Sequence, residues 1–314
     1  GGVQWLVQQP ALHAQGVSWR GPWTVVHPGV KRVAQLMLPT VLGAAVYQLN
    51  VVFNTVLASF LAKGSISYLY YADRLVQFPL GVFGLAVSTA ALPSLSSLLT
   101  QNRRIEFVHT LRSTLSLVLF ISLPATAGLI GLHLPMVKTL FGRGAFDAQA
   151  VWATSMALIG YALGLPAFCA VRSLVSALYA LEDTRTPVKA AIICLGINLL
   201  TGLILMHIFA HTGLAVAVSL ASWANVFLLG RALSRHMGPW VQVDSSLGWM
   251  LGLSCLLGVG CALSASLGWI ALVGIPAWVG LYLWASKRAG LVEAELILSV
   301  IQRKFRVLGH KKGL

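Results

Sequence analysis

The sequence has 314 residues, of which 57% are apolar and 10% charged, and its mean hydropathy is +0.81. This composition excludes an ordinary soluble domain and predicts an integral membrane protein. The formal net charge of +14 does not indicate nucleic-acid binding, because most basic residues fall in short connections between apolar runs.

Residues 1–32 are predicted to contain the end of a preceding apolar helix, residues 1–12, and a cytoplasmic connection. A part of the protein that precedes this sequence is therefore expected. Beyond them, apolar runs of about 20 residues or more predict a polytopic all-α bundle of about eight transmembrane helices. Six spans fall in residues 33–237 and two in 238–286, before a basic tail at 287–314. The predicted spans are 33–62, 65–99, 111–132, 151–181, 187–209, 213–233, 247–267 and 269–285.

Basic residues alternate between rich and poor connections along the chain. The richer connections are expected to face the cytoplasm, and an even number of spans then puts the C-terminus there too. The rich connections contain Arg20, Lys31 and Arg32; Arg103 and Arg104; Arg185 and Lys189; and Arg231 and Arg235.

Three segments outside the spans carry local signals. Residues 133–147 predict a short interfacial helix that ends at a Gly142-Arg143-Gly144 turn. In the next connection, Asp183 or Thr184 can cap a helix. In the tail, apolar residues recur at helical spacing among basic ones, which predicts an amphipathic helix on the anionic leaflet. Those apolar residues are Val292, Leu296, Ile297, Val300 and Ile301.

The second span contains two adjacent residues of opposite charge, Asp73 and Arg74. At 1.5 Å per residue, Arg74 lies about 15 Å past the turn at Gly64, near the middle of the hydrocarbon layer. A guanidinium there needs an anion or a water-filled cavity, so the sequence predicts an anion-binding site. The alternatives are a structural ion pair or an arginine that reaches the interface. Pro79 and Gly81 follow and predict a bend.

Two other sets of polar residues are candidates for the same cavity. Tyr47, Asn50 and Asn54 form one stripe on the first span, which lines a cavity or joins helices by hydrogen bonds. Arg172 is the other deeply placed cation, and it either lines the cavity or extends to the interface.

Small-residue pairs at four-residue spacing allow helices to approach closely. The pairs are Gly160 with Gly164 and Gly248 with Gly252.

The sequence offers no signature of catalysis, cofactor binding or a metal site. It contains no phosphate-binding GxxxxGK[ST] loop and no converging nucleophile, histidine and carboxylate. The four cysteines lie in apolar runs without metal-ligand spacing. A transporter fits better than an enzyme.

Two runs carry a family resemblance. Residues 36–96, LMLPTVLGAAVYQLNVVFNTVLASFLAKGSISYLYYADRLVQFPLGVFGLAVSTAALPSLS, and residues 180–191, ALEDTRTPVKAA, resemble the MurJ (MviN) family of lipid II flippases. That family has fourteen helices in the MOP exporter fold, and this chain resembles helices seven to fourteen.

The resemblance implies export of lipid II, an undecaprenyl-pyrophosphate-linked precursor, across the bacterial inner membrane by alternating access. Arg74 matches the family's ADR motif and is implied to grip the pyrophosphate, while 247–285 corresponds to a groove for the lipid tail. Some members have a cation site with carboxylates. Asn54 and Asn198 stand at comparable positions here.

The expected partners are lipid II, membrane lipids and cell-wall synthesis proteins, with no nucleic acid. Two alternatives stay open at this point: an exporter of another polyprenyl-linked glycan or a drug cation, and a non-transporting scaffold for cell-wall proteins.

Overall fold

The computed structural model describes residues 2–14, 28–238, 240 and 245–299. The chain forms two units, residues 1–41 and 42–314. The first contains α1 (Gly2–Ala14) and the start of α2 (Pro28–Ser59), which continues into the second unit. The part of the connection after α1, residues 15–27, and the end of the basic tail, residues 300–314, lie outside the described residues.

All regular secondary structure in the described residues of the second unit is helical. Four of its helical segments are long and apolar enough to cross a membrane, or five if the bent pair α7 and α8 forms one span. Its helices are α3 (Ser65–Pro79), α4 (Leu85–Thr100), α5 (Arg104–Gly131), α6 (His133–Phe141), α7 (Ala148–Ala162), α8 (Leu165–Ala180), α9 (Arg185–Met237), α10 (Ser245–Ser264), α11 (Trp269–Val273), α12 (Ile275–Arg288) and α13 (residues 292–299).

Helix α9 consists of two arms, one before and one after Ala210, and the second arm folds back along the first. Ala210 has φ 48° and ψ −131°, which breaks the helix at the connection expected between the fifth and sixth predicted spans. A Cβ placed on Gly202 would lie 3.5 Å from a methyl group of Leu214 and 3.9 Å from the Cβ of Ala217. In a straight helix, residues 202 and 217 would be about 22 Å apart, so the two arms must be antiparallel neighbours.

Two of the predicted spans are not continuous helices. The span at 151–181 is bent by 41° between α7 and α8, where Gly164 and Pro166 adjoin the break. The last span, 269–285, divides into α11 and α12 at Gly274, and Pro276 occupies the first turn of α12. Proline has no N–H with which to continue a helix, but it suits the first turn of a new one. Each of these two spans therefore ends one helix and begins another at its proline.

The predicted bend after Arg74 is a π-helical segment, Leu80–Gly84, between α3 and α4. One inserted turn of this kind changes the direction of side chains beyond it while the span continues. Gly84 allows a close approach here, because an added Cβ would lie 3.0 Å from Sγ of Cys169. The segment therefore packs against α8.

Three clusters of buried side chains join the helices of the second unit. The first joins α3, α7 and the arms of α9; the second joins α4, α5, α8 and the ends of α9; the third joins α5, α10, α12 and α13. Leu291, just before α13, and Ala294 within it are buried, while Val292 and Leu296 are exposed. The tail helix is thus anchored by one face, and its contact with the leaflet stays a prediction.

Short segments end where the sequence indicates. Helix α6 is the predicted short helix, and Gly142 follows its last residue. Of the two candidate caps before α9, Asp183 makes the contact: its carboxylate accepts hydrogen bonds from the N–H and the hydroxyl of Thr186, at 3.0 and 2.6 Å. Thr184 makes no side-chain capping bond.

Candidate functional site

Helix α3 has two unlike faces. Leu69, Ala72 and Val76 recur at three- and four-residue spacing and are buried in the cluster shared with α7 and α9. Tyr70, Arg74 and Phe78 recur at four-residue spacing on another side and are exposed. The spacing of 3.6 residues per turn separates the charged group from the packed face.

Arg74 is held by residues of its own helix. Its Nη1 donates a hydrogen bond of 3.1 Å to Oε1 of Gln77, and its Cζ lies 4.8 Å from the centre of the Tyr70 ring. The Nε2 of Gln77 in turn donates to the carboxylate of Asp73. Gln77 therefore links the two ions, since neighbouring residues on a helix do not face each other.

The guanidinium keeps most of its binding capacity. A guanidinium has five N–H donors. Among the described residues, one of these N–H groups donates a hydrogen bond, to Gln77. The side chain is exposed and supported from one side by an aromatic ring. This arrangement presents a planar donor fork to an anion.

The predicted polar stripe on α2 makes contacts with the first arm of α9. Asn54 Nδ2 donates to Asn50 Oδ1 at 2.7 Å, and Asn198 Nδ2 donates to Asn54 Oδ1 at 3.1 Å. Asn198 is completely buried, and its own Oδ1 has no hydrogen-bond partner within the described structure. The three side-chain amides therefore link α2 to the first arm of α9, and Oδ1 of Asn198 is the acceptor that remains without a partner among the described residues.

Tyr47 and Asp73 approach a common neighbour. Tyr47 is 63% exposed, one turn before Asn50. Tyr161 of α7 is buried and lies close enough to both Tyr47 and Asp73 to interact with each electrostatically. Tyr47 of α2 and Asp73 of α3 are thus both within electrostatic range of α7, and a cavity shared by the two helices stays a prediction.

Arg172 lies apart from these groups. It is exposed on α8, one turn after the Cys169 that packs against the π-helical segment. Within the described residues, no hydrogen bond or ion pair joins its side chain to the other predicted site residues. A shared site with Arg74 stays a prediction.

The site includes residues that the sequence reasoning did not select. Tyr70 and Gln77 stand four residues before and three after Arg74, so helical spacing alone could have identified both. The buried Tyr161 has no comparable signal, because its neighbours come from other helices. In the described residues, no group of three His, Cys, Asp or Glu side chains could hold a metal ion.

Comparisons with known proteins agree with one another. Residues 1–288 match the family model described as Lipid II flippase MurJ. The probable lipid II flippase MurJ of Vibrio cholerae is 40% identical over 231 residues, which cover 74% of this chain and 44% of that protein. The probable lipid II flippase MurJ of Haemophilus influenzae is 36% identical over 239 residues, covering 74% and 47%. The chain spans about half the length of these curated relatives.

Solved structures show the same fold. A structure titled as lipid II flippase MurJ in an inward closed conformation matches with a TM-score of 0.68 and 27% identity, covering 86% of this chain and 57% of that one. An outward-facing multidrug resistance MATE transporter of the MOP superfamily matches with a TM-score of 0.58 at 15% identity, covering 83% and 62%. The latter similarity concerns the fold alone.

Proposed function

The chain belongs to the MurJ family of lipid II flippases, and we propose that the protein containing it moves lipid II across the inner membrane for peptidoglycan synthesis. The family match over residues 1–288 is the observation that carries this proposal. The chain is a multi-pass membrane transporter segment, and the direction proposed for transport is from the cytoplasmic to the periplasmic leaflet.

Arg74 is the proposed ligand for the pyrophosphate of the substrate. Arginine stays protonated at any physiological pH, and its planar fork can donate two parallel hydrogen bonds to phosphate oxygens. Ser65 begins α3, so Arg74 lies about 14 Å into the helix, where an unpaired cation is costly in lipid. A passing diphosphate offsets that cost, which supports a role in the transport path.

The other predicted site residues have supporting roles in this proposal. Asp73 and Gln77 orient the guanidinium through their chain of hydrogen bonds. Tyr47, Asn50 and Asn54 are proposed to line the path beside α3, and Arg172 to add positive charge farther along it. Transport then needs no bond-breaking chemistry from the chain, only alternation of access to the two leaflets.

The proposed topology puts the C-terminus in the cytoplasm. Helix α12 ends with Lys287 and Arg288, and the connections at Arg103 and Arg104 and at Arg231 and Arg235 are also basic. Basic residues favour the cytoplasmic side of bacterial inner membranes.

The test is Arg74→Ala in the full-length protein, expressed in a strain depleted of its own lipid II flippase. We expect loss of growth support, because the alanine removes both the charge and the donor fork. Arg74→Lys is expected to support growth only weakly, since an ammonium cannot form the bidentate contact. Colony formation on depletion is the readout, with membrane fractionation to show insertion.

Arg143→Ala is the matched control, because Arg143 is an exposed arginine in the connection between α6 and α7. It removes the same charge away from the proposed path and should retain full growth support. Normal growth with an inserted Arg74→Ala protein would reject the assigned role of Arg74. Failure of the wild-type protein to support growth would reject the proposed function itself.

A further inference from the structure

A basic groove lies at one end of the bundle, between the start of α5 and the end of α9. Four of its lining residues are basic: Arg104, His109, Arg112 and His236. Its volume is about 490 Å³. Of the lining residues that the structure describes, none is acidic, so the groove is suited to an anion.

The walls of the groove are fixed by contacts to the backbone and to a carboxylate. Arg112 Nε donates to the carbonyl of Trp240, and the indole of Trp240 donates to the carbonyl of Gly230 at 3.0 Å. Trp240 is buried in the second cluster. On the opposite wall, Nε2 of His236 lies 3.2 Å from Oδ2 of Asp183. The groove is therefore already formed rather than assembled by a ligand.

Two carboxylates near the groove already have partners, one outside the groove and one on its wall. Glu106 forms an ion pair with Arg103, whose Nε lies 2.6 Å from Oε1. Asp183 accepts two hydrogen bonds from Thr186 as well as meeting His236. Arg104 and His109 are both exposed in the groove, so their side chains can reach a bound anion.

The depth of the groove matches the headgroup layer of a bilayer. From Gly131, at the far end of α5, to Arg112 is 19 residues, or about 28 Å, close to the thickness of the hydrocarbon layer. Helix α10 runs parallel to α5, since Gly258 contacts Ala127 and Cys261 lies beside Gly131. With Gly131 taken as the far edge of the hydrocarbon layer, Arg112 falls at the near edge, and Arg104 lies about 12 Å farther out.

Apolar side chains share the groove with the basic ones. Ile105 is 87% exposed at the start of α5, and Val108 and Met237 are the other apolar residues in the lining. Free phosphate would gain nothing from these side chains. A phospholipid would place its phosphate on the arginines and part of its glycerol and acyl chain on the apolar wall.

We infer that this groove binds the headgroup phosphate of an anionic phospholipid of the leaflet that surrounds it. The site is separate from Arg74, which lies on another helix, and its test requires no transport. Failure of this inference would therefore leave the proposed function untouched, and the reverse also holds.

The experiment measures the melting temperature of the purified full-length protein in detergent. Dioctanoyl phosphatidylglycerol is expected to raise it by about 3 °C more than dioctanoyl phosphatidylcholine does. The groove variant Arg104→Gln/His109→Gln should lose most of that difference. It leaves Arg112 and its contact with Trp240 in place, and each single variant should lose part of the difference if the double variant fails to fold.

Arg103→Gln is the matched control, because Arg103 is the residue before Arg104 and pairs with Glu106 outside the groove. It should keep the full difference between the two lipids. Equal shifts from the two lipids, or a difference that persists in the groove variants, would overturn the inference. An equal shift from inorganic phosphate alone would assign the groove to free phosphate and would also overturn it.

Discussion

Helices α3 and α7 pack against each other but are covered to very different extents. Ten of the fifteen residues of α7 are buried, against four of the fifteen of α3. The buried residues of α7 are mostly small, including Ala153, Ala157 and Gly160, and they let neighbours approach from several sides. Helix α3 is covered by other helices on one side only, and the charged side chains of Asp73 and Arg74 lie on its other sides.

This difference shows how one apolar bundle separates packing from chemistry. Close approach requires small, uncharged side chains, because each buried charge would need a compensating partner. Arg74 is therefore found on the exposed side of a partly covered helix, beside a helix that is buried over most of its length. Substitutions on the two helices should separate stability from transport.

The largest effect is expected on the covered helix, from Gly160→Leu. A Cβ at this position would lie 2.9 Å from the Cβ of Ala215 and 3.2 Å from the backbone N of Val216, and the backbone has no room to move away. We expect a loss of about 3 kcal/mol in the free energy of unfolding. Thermal unfolding of the purified protein measures it.

Gly248→Leu is the control for this prediction. Gly248 belongs to the other small-residue pair, but its Cβ position has no neighbouring atom within 4 Å. Its stability should be unchanged or slightly higher, since leucine favours helix more than glycine does. Similar losses in both variants would mean that close packing does not distinguish α7.

The two faces of α3 give the next largest effect. Ala72 is completely buried against the first cluster, so Ala72→Leu should cost about 2 kcal/mol through overpacking. Arg74→Gln lies two residues away on the exposed side and should change stability by no more than about 0.5 kcal/mol. Melting temperatures of the two variants, measured together, provide the comparison. A strongly destabilised Arg74→Gln would contradict the separation of the two roles.

The cap at the start of α9, away from both faces of α3, should contribute less to the free energy of unfolding. Asp183→Ala removes the cap of α9 and is expected to cost about 1 kcal/mol, whereas Thr184→Ala, which removes no side-chain cap, should be neutral. Unfolding at pH 7 tests this pair. An equal loss in Thr184→Ala would assign the effect to the connection rather than to the cap.

The same aspartate gives a pH dependence of known sign. Partial burial raises its pKa, but hydrogen bonds from Thr186 and the pairing with His236 outweigh it, so the pKa of Asp183 lies below its ordinary value. A group whose pKa is lowered in the folded state stabilises the protein at pH values above its ordinary pKa, which is about 3.9 for aspartate. That stabilisation is lost as the pH falls through the pKa of the folded state. Asp183→Asn should show less loss of stability than the wild type between about pH 5 and 3. Equal acid sensitivity would contradict the assignment.

The smallest effect is expected at the break in α9, and it has the opposite direction. Ala210 has a positive φ that glycine adopts without strain, so Ala210→Gly should stabilise the protein by about 0.5 kcal/mol. Ala224→Gly, inside the second arm, should destabilise it by about 1 kcal/mol instead. Unfolding measurements check both signs. Loss of stability in Ala210→Gly would mean that the reversal of α9 does not depend on a strained residue.

Much of the candidate site was accessible from local sequence. Apolar runs determined the membrane class, and Asp183 was one of two residues that could cap α9. The interval from Gly64 to Arg74 fixed the depth of the cation along its helix, and the motif around Arg74 identified the family. These features depend on the rise and period of a helix, which neighbouring residues set among themselves.

Only the tertiary structure decided which side of each helix was covered. Asn198 meets Asn50 across 148 residues of sequence, and the basic groove brings together Arg104 and His236 from two helices that are distant in the sequence. The continuity of the last predicted span also depended on where α12 restarts. Partners this distant are chosen by how complementary surfaces fill space, and a periodic sequence is compatible with several such choices.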